Sequence, residues 1–295
     1  MGREKLISVI LVNFNGLIDT CTFIESWINI IHSFDYEIIV VDNGSNEDES
    51  VLLKQLYPDI VSLRSEANLG FAGANNLGYS VSKGDWIFFL NNDTIIIEDT
   101  LPAFVHQLAE NGKMAGISPL ILNNDLQHTV QFAGYTHLNR LTLRNKAILE
   151  GDMPQLMQHA IKTEFLHGAA MLFKREAIER VGTMSEDYFL YYEEFDWCEH
   201  FRKKGYELWV SPSLKIIHCN SKTIGAESPL KTYYLTRNRL LFAYNNYYKA
   251  LFVFTFCYHL LCAYPYHIVR ALVGRKYDTA KSICKGLSDF CKYIF

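Results

Sequence analysis

The chain has 295 residues, 49% of them hydrophobic and 20% charged, a balance that argues against both a disordered chain and a polytopic membrane protein. Its formal net charge of −4 hides an asymmetry: residues 226–295 carry 10 Lys/Arg against 3 Asp/Glu, whereas residues 1–225 carry 18 against 29. A basic tail interleaved with Tyr, Phe and Leu suits an anionic membrane surface, and an acidic body would repel a phosphate backbone, so no nucleic-acid partner is expected.

Leu6 to Val12 (LISVILV) is an apolar, β-branched run ended by Asn13-Phe14-Asn15-Gly16, the pattern of a buried parallel strand and its turn. That run is too short and too β-branched for a secretory signal, and a helix is predicted to follow over 18–31. Tyr36–Asp42 (YEIIVVD) repeats the strand pattern, stops at Asn43-Gly44-Ser45 and leads into a helix around 50–56. A short strand at 60–64, a small-residue helix at 70–82 and a fourth strand at 85–90, ended by Asn91-Asn92-Asp93, continue the alternation. Strands and helices at this spacing predict βαβ units, an α/β fold with a mostly parallel sheet flanked by helices. Ligands in such sheets gather beyond the carboxyl ends of the strands, where the polar clusters 13–15, 42–45 and 91–93 fall.

From about residue 120 the alternation dissolves, and 123–158 carries no assignable pattern. Structure resumes with FLHGAAMLFK at 165–174, a helix over Arg175–Val181, a helix over 196–204, and two short strands at 207–210 and 214–218. Residues 250–269 contain no Asp, Glu, Lys or Arg and are long enough to cross a bilayer. His259, Pro265 and His267, with the Tyr and Thr positions, favour instead an interfacial or re-entrant helical pair lying on the membrane; a helix packed on the protein's own surface is the plain alternative. The chain thus divides into an α/β domain (1–225) and a basic, aromatic helical extension (226–295). The seven cysteines are odd in number with no CxxC pair, as for reduced thiols of a cytoplasmic protein bound peripherally to the inner face of the membrane.

The motifs V-N-F-N-G (12–16), V-V-D-N-G-S (40–45), N-L-G-F-A-G-A-N-N-L-G (68–78), L-N-N-D-T (90–94), Y-Y-E-E-F-D-W-C (191–198) and Ile217-His218, taken in order, resemble glycosyltransferase family 2, of the GT-A fold. The resemblance covers roughly residues 5–245 and is greatest to rhamnosyltransferase-like and galactofuranosyltransferase-like bacterial members. It implies a Rossmann-like nucleotide-binding domain and a metal-dependent, inverting transfer of a sugar from a nucleotide diphosphate to a hydroxyl. The donor it suggests is dTDP-rhamnose, with galactofuranose or another UDP-sugar as the alternative. The implied acceptor is a lipid-linked saccharide in cell-surface polysaccharide synthesis.

Residue by residue, the resemblance places Asp42 against the nucleoside, with Asn13 and Asn15 lining the same pocket; Asp before Asn-Gly-Ser is also a plain turn signal. Asn68, Gly70 and Asn75 resemble the nucleotide-side loop, where glycines admit close backbone approach, while Ala72, Ala74 and Gly78 read as tight helix–sheet packing. Asn91-Asn92-Asp93 stands where the family carries DxD: Asn92 is assigned to the donor, and Asp93 is the ionic ligand for Mg²⁺ or Mn²⁺, joined by His218. In Glu193-Glu194-Phe195-Asp196, Glu194 is the expected base that takes the acceptor proton, Glu193 the other candidate, and Asp196 an orienting or helix-capping acid. His167, Gly168 and Ala169 resemble an acceptor-side segment and read equally as a buried strand. Arg237 and Arg239 suit a diphosphate, or else form a solvated helical face.

Two readings of other classes compete. Asn at 91 and Glu at 194 also fit a sugar-nucleotide-binding module without turnover. A nucleotidyltransferase would show a Gly-rich pattern with Arg and Lys after the first strand, which Asn13-Phe14-Asn15-Gly16 lacks, and no G-x-G-x-x-G supports a dinucleotide oxidoreductase.

Overall fold

The computed structural model describes residues 6–149, 159–219 and 228–294. Strands β1 (Ile7–Asn13), β2 (Tyr36–Asp42), β3 (Val61–Arg64) and β4 (Trp86–Asn91) pair in parallel in the order β3-β2-β1-β4. They are joined by helices α1 (Leu17–Ile30), α2 (Glu49–Leu56) and α3 (Gly70–Val81). Val9 and Leu11 of β1 pack with Phe23 and Trp27 of α1, while Ile10 faces Ala72 of α3, so the strand is buried on both faces and needs an unbroken apolar run. A Cβ at Gly78 would lie 2.5 Å from Ile10 Cγ2, which confirms α3 as the helix seated closely on the sheet.

The second half of the sheet turns on an antiparallel strand. β9 (Ala170–Lys174) lies between β4 and β6 (Met114–Asn123), antiparallel to both, and β10 (Glu207–His218) runs parallel to β6. β5 (Thr94–Ile96) closes that edge against β10, β7 (Val130–Phe132) adds to β6, and β8 (Ile161–Thr163) adds to β10. With α4 (Leu101–Glu110), β5 and β6 occupy a stretch for which the sequence pattern predicts no element. In β6 the small residues Ala115, Gly116 and Ser118 break the bulky run that marks a strand, because Phe173 of β9 fills the space above Gly116. The two strands predicted at 207–210 and 214–218 are one strand, with its register on β6 shifted between Ser211 and Lys215, around Pro212, which has no N–H to donate.

Helix α5 (Arg175–Val181) falls where predicted, and α6 (Glu193–Lys203) starts three residues before the predicted 196. Then come α7 (Pro229–Asn246), α8 (Lys249–Tyr258), a π-turn at His259–Ala263, α9 (Tyr264–Val273) and α10 (Tyr277–Ile294). The predicted boundary at 225/226 lies outside the described residues, and the core continues beyond it: Leu240 and Phe242 of α7, Tyr264 of α9 and Phe290 of α10 share one buried cluster with Phe173 and Trp197.

In place of a re-entrant pair, Lys249–Val273 forms one helix of 25 residues, long and apolar enough by length and composition to cross a membrane. Only 17% of its apolar window is buried, and Val253, Phe254, Leu261, Val269 and Val273 are exposed. The π-turn just before Pro265 widens the helix where the proline ring would otherwise clash with the preceding turn, so the chain passes through without a break.

Candidate functional site

The sheet's register assembles the site. Leu90 at the end of β4 pairs with Ala170 at the start of β9, so the turn preceding β9, His167–Ala169, lands beside Asn91-Asn92-Asp93. Asn91 N donates to Ala169 O at 2.9 Å. On the other side, His218 at the end of β10 pairs with Thr94, which puts its ring against Asp93. His218 Nε2 lies 3.2 Å from Asp93 Oδ1 and 3.4 Å from Asn91 Nδ2, while its Nδ1 lies 3.1 Å from Gln131 Oε1. With Nδ1 facing Gln131, Nε2 faces the Asp93 carboxylate, and these two side chains would hold a divalent ion. Cis ligands about 2.1 Å from a six-coordinate ion stand about 3 Å apart, so the 3.2 Å spacing fits Mg²⁺ or Mn²⁺.

A second carboxylate shares this field. Asp19, in the first turn of α1, has its pKa raised by burial and then by the charge of Asp93. Sequence reasoning missed it; an acid in the first turn after β1 was the available signal. Asn92 Nδ2 donates to Thr20 Oγ1 (3.0 Å) and Gly16 O (3.4 Å), fastening the β4–β5 loop to α1 rather than pointing outward.

Across the turn stands the acidic pair. Gly168 lies between the donor-side loop and α6: a Cβ there would meet Phe71 Cζ at 3.7 Å and the Cγ and Cδ of Glu194 at 4.0 Å. Gly168 thus packs directly beside the Glu194 side chain. His167 turns its ring to His218, with centroids 6.0 Å apart, and burial, then His218, push its pKa down to about 3, so it is neutral. Burial pushes the pKa of Glu194 up to about 7, against the pull of backbone N–H groups at Glu194, Tyr192 and Phe195. Glu193 is more deeply buried, and its pKa is raised by that burial and then by Glu194. One oxygen of each, Oε2, has no hydrogen-bond partner. Asp196 is neither a cap nor part of this face: it is buried one turn into α6, accepting from Tyr188 OH (2.9 Å) and Asn246 Nδ2 (2.5 Å).

The loop that presents the acids is strained. Phe189, Tyr191 and Tyr192 all have positive φ, at 63°, 67° and 77°. Asn238 of α7, fully buried and missed by sequence reasoning, holds it by donating through Nδ2 to the carbonyls of Tyr188, Leu190 and Tyr191, each at 2.8 Å. Its neighbours, expected at a diphosphate, are bonded within the protein. Arg237 Nη1 donates to Asp187 O at 2.8 Å, and Arg239 Nε donates to Tyr192 OH at 3.1 Å while lining a different cavity.

Several residues expected to touch the donor instead build its loops. Asn13 is fully buried, donating to Glu49 Oε2 (2.6 Å) and accepting from Thr20 Oγ1 (2.7 Å). Asn15 N donates to Ser45 Oγ at 2.8 Å, and its Oδ1 accepts from Asn46 N at 2.9 Å. Asp42, also fully buried, accepts from Arg64 Nη1 at 2.6 Å and from Ser45 N at 3.1 Å, so Arg64 rather than Asp42 carries this pair to the surface. Asn75 is buried and donates back to Phe71 O. Gly70, at φ +74°, sits on the strained loop: a Cβ would lie 2.2 Å from Phe189 O, and Phe71 N donates to that same oxygen. Asn15 and Asn68 of these are exposed, and Asn68 Oδ1 accepts from Gly70 N and Asn43 Nδ2.

Comparison with known proteins agrees with this architecture. The sequence model described as Glycosyl transferase family 2 matches residues 8–182. The chain is 28% identical over 229 residues to dTDP-rhamnosyl transferase RfbF of Shigella flexneri, covering 71% of each chain. It is 23% identical over 210 residues to N-acetylglucosaminyl-diphospho-decaprenol L-rhamnosyltransferase of Mycobacterium tuberculosis, covering 64% of this chain and 68% of that one. In fold it is similar to a mannosyltransferase of Pyrobaculum calidifontis solved with GDP-Man and Mn²⁺, with a TM-score of 0.58 at 14% identity, covering 99% of this chain and 76% of that one. The fold is GT-A, and this chain belongs to glycosyl transferase family 2.

Proposed function

We propose that this glycosyltransferase moves L-rhamnose from dTDP-rhamnose to a hydroxyl of a lipid-linked saccharide, with inversion, at the inner face of a membrane. The observation that carries the reading is the His167–Ala169 turn, bonded to Asn91 on one side and standing against Glu194 on the other. On this reading Glu194, an acid whose pKa is raised to about 7, stands on the other side of that turn from the Asp93–His218 pair. The names of the rhamnosyl relatives support the donor, and the decaprenol-linked substrate in one of them supports the acceptor class.

Inversion needs a single in-line displacement. The Glu194 carboxylate takes the proton of the acceptor hydroxyl as its oxygen bonds to the anomeric carbon, and the bond to the nucleoside diphosphate breaks on the opposite face. Glu193, packed behind it and short of a hydrogen-bond partner, favours the singly charged state of the pair. Asp93 and His218 would hold the divalent ion, which supplies positive charge for the departing diphosphate. Arg64, braced by Asp42, and Asn68 line the nucleoside end; Gly168 and Ala169 leave room for the acceptor.

The test is turnover by the full chain of dTDP-rhamnose, UDP-galactofuranose and GDP-mannose with a lipid-linked saccharide, with Mn²⁺ and with EDTA, followed by NMR of the product's anomeric configuration. Metal-dependent rhamnosyl transfer with inversion is expected. Retention, or equal rates in EDTA, would sink the mechanism, and donor binding without any turnover would make the chain a binding module.

A further inference from the structure

Tyr135 lies three residues past β7, in the stretch whose sequence carries no assignable pattern. Its backbone is pinned on both sides. Tyr135 N donates to Thr163 Oγ1 at 3.2 Å; Ile148 N donates to Gly134 O (2.8 Å) and Thr136 N to Lys146 O (2.9 Å), around a bridge between Tyr135 and Ala147. The partly buried ring packs against both large core clusters. It lies 7° from parallel to the His167 ring, with centroids 6.3 Å apart, and is tilted against Phe195 at 5.4 Å and Phe132 at 4.9 Å. Phe195 follows Glu194 in α6, and His167 opens the turn whose Gly168 packs beside Glu194. Tyr135 thus joins, from a third segment, the two elements that meet at the proposed base. Burial, and then the charge of Glu194, hold its phenol well above the ordinary range, so the O–H keeps its proton and remains a donor.

A base takes its proton only from a hydroxyl held in line with it, so the sugar that bears that hydroxyl must be oriented. A pyranose offers two surfaces for this, a face of C–H groups and a rim of hydroxyls. Tyrosine suits both, with an apolar body and a polar tip, and it costs little entropy because only two side-chain torsions are fixed. Here Phe132, His167 and Phe195 already restrain them. We propose that Tyr135 is the wall of the acceptor subsite: its ring packs on the C–H face of the pyranose that bears the nucleophilic hydroxyl, and its phenol donates to another hydroxyl of that sugar. This assignment rests on the saccharide acceptor proposed above. The plain alternative for such a ring is a spacer between the two core clusters, which would touch no sugar.

The full-length native protein, Tyr135→Phe and Tyr135→Leu are titrated by saturation-transfer NMR with the methyl pyranosides of glucose, galactose, rhamnose and N-acetylglucosamine, with Mg²⁺ and dTDP or UDP present. The pyranoside that the native protein binds should bind Tyr135→Leu, which has no flat face, roughly 10-fold more weakly or worse. Tyr135→Phe, which keeps the ring and loses one hydrogen bond, should lose about 5-fold. In transfer assays the KM for a lipid-linked saccharide should rise by similar factors, while the KM for the sugar nucleotide and the melting temperature of Tyr135→Phe stay at their native values. Should Tyr135→Leu fail to fold, Tyr135→Phe decides by itself. Native pyranoside affinity in Tyr135→Phe overturns the proposal, as does the absence of pyranoside binding by the native protein. A joint rise of both KM values in Tyr135→Phe overturns it too, since that marks a spacer. Variant-sensitive pyranoside binding without transfer to any lipid-linked saccharide would keep the subsite and defeat only the transfer reading. Transfer with a native acceptor KM in both variants would keep that reading and defeat the subsite.

Discussion

A base that works at neutral pH needs a proton affinity near neutrality, and burial raises that of Glu194, the residue proposed for this role. Glu194→Gln is expected to lower transfer roughly 10²–10⁴-fold while leaving donor binding intact, as read by initial rates and donor titration. In the native protein the rate should rise with pH through about 7 and then level. Stability should move the other way. The folded-state affinity stands above the ordinary 4.5, so its contribution is full below that pH and is lost as pH rises through about 7. Glu194→Gln should therefore be more stable than the native protein at pH 8, by about 3 kcal/mol, with the difference gone at pH 4. At the other end of the cleft, Asp93→Ala or His218→Ala should raise the Mn²⁺ concentration for half-maximal activity by about 10–100-fold, and an unchanged metal titration would remove that residue from the ligand set. The motifs that hold these side chains were legible because they follow a fixed order, Asp93 just past β4, Glu194 in the first turn of α6 and His218 at the end of β10. Arg64, Glu49 and Asn238 were not, because what defines them is a partner far along the chain: Asp42 lies 22 residues from Arg64, and Tyr191 lies 47 from Asn238.

Among the elements, the loop from Phe189 to Tyr192 and the helix it starts decide whether the acids face the cleft. Ties from Asn238 to the carbonyls of Tyr188, Leu190 and Tyr191 hold left-handed backbone that would otherwise relax. Asn238→Ala should destabilise the protein by about 2–4 kcal/mol and lower kcat well beyond any change in KM for donor, measured by denaturant melts and kinetics. Gly70→Ala should act on the same loop from the other side, since its Cβ would drive into Phe189 O at a φ of +74°. A Gly70→Ala protein with native stability and rate would show that the loop is not held there. The start of α6 could not be read correctly from sequence: Tyr191 and Tyr192 carry no turn signal, and their left-handed backbone exists because α7 and α3 impose it.

At the scale of the whole molecule, α7 and α10 belong to the catalytic core, so membrane attachment is better tested on a surface than by truncation. Val253→Glu, Phe254→Glu and Leu261→Glu together should release the protein from vesicles with little loss of melting temperature, as these side chains are 54%, 64% and 70% exposed. Persistent co-sedimentation would show that Lys249–Val273 is not the attachment surface. The sequence by itself determined the βαβ half of the fold, because β1, β2 and β4 are buried on both faces and their apolar runs record that burial directly. It also marked the strand ends that carry polar clusters. Only the tertiary structure decided the rest. The reversal of β9 brings His167–Ala169 to Asp93, Phe173 makes a strand of small-residue β6, and α7 converts Asn238 into the brace of the catalytic loop. Each depends on contacts between residues distant in the chain, and local periodicity carries no record of them.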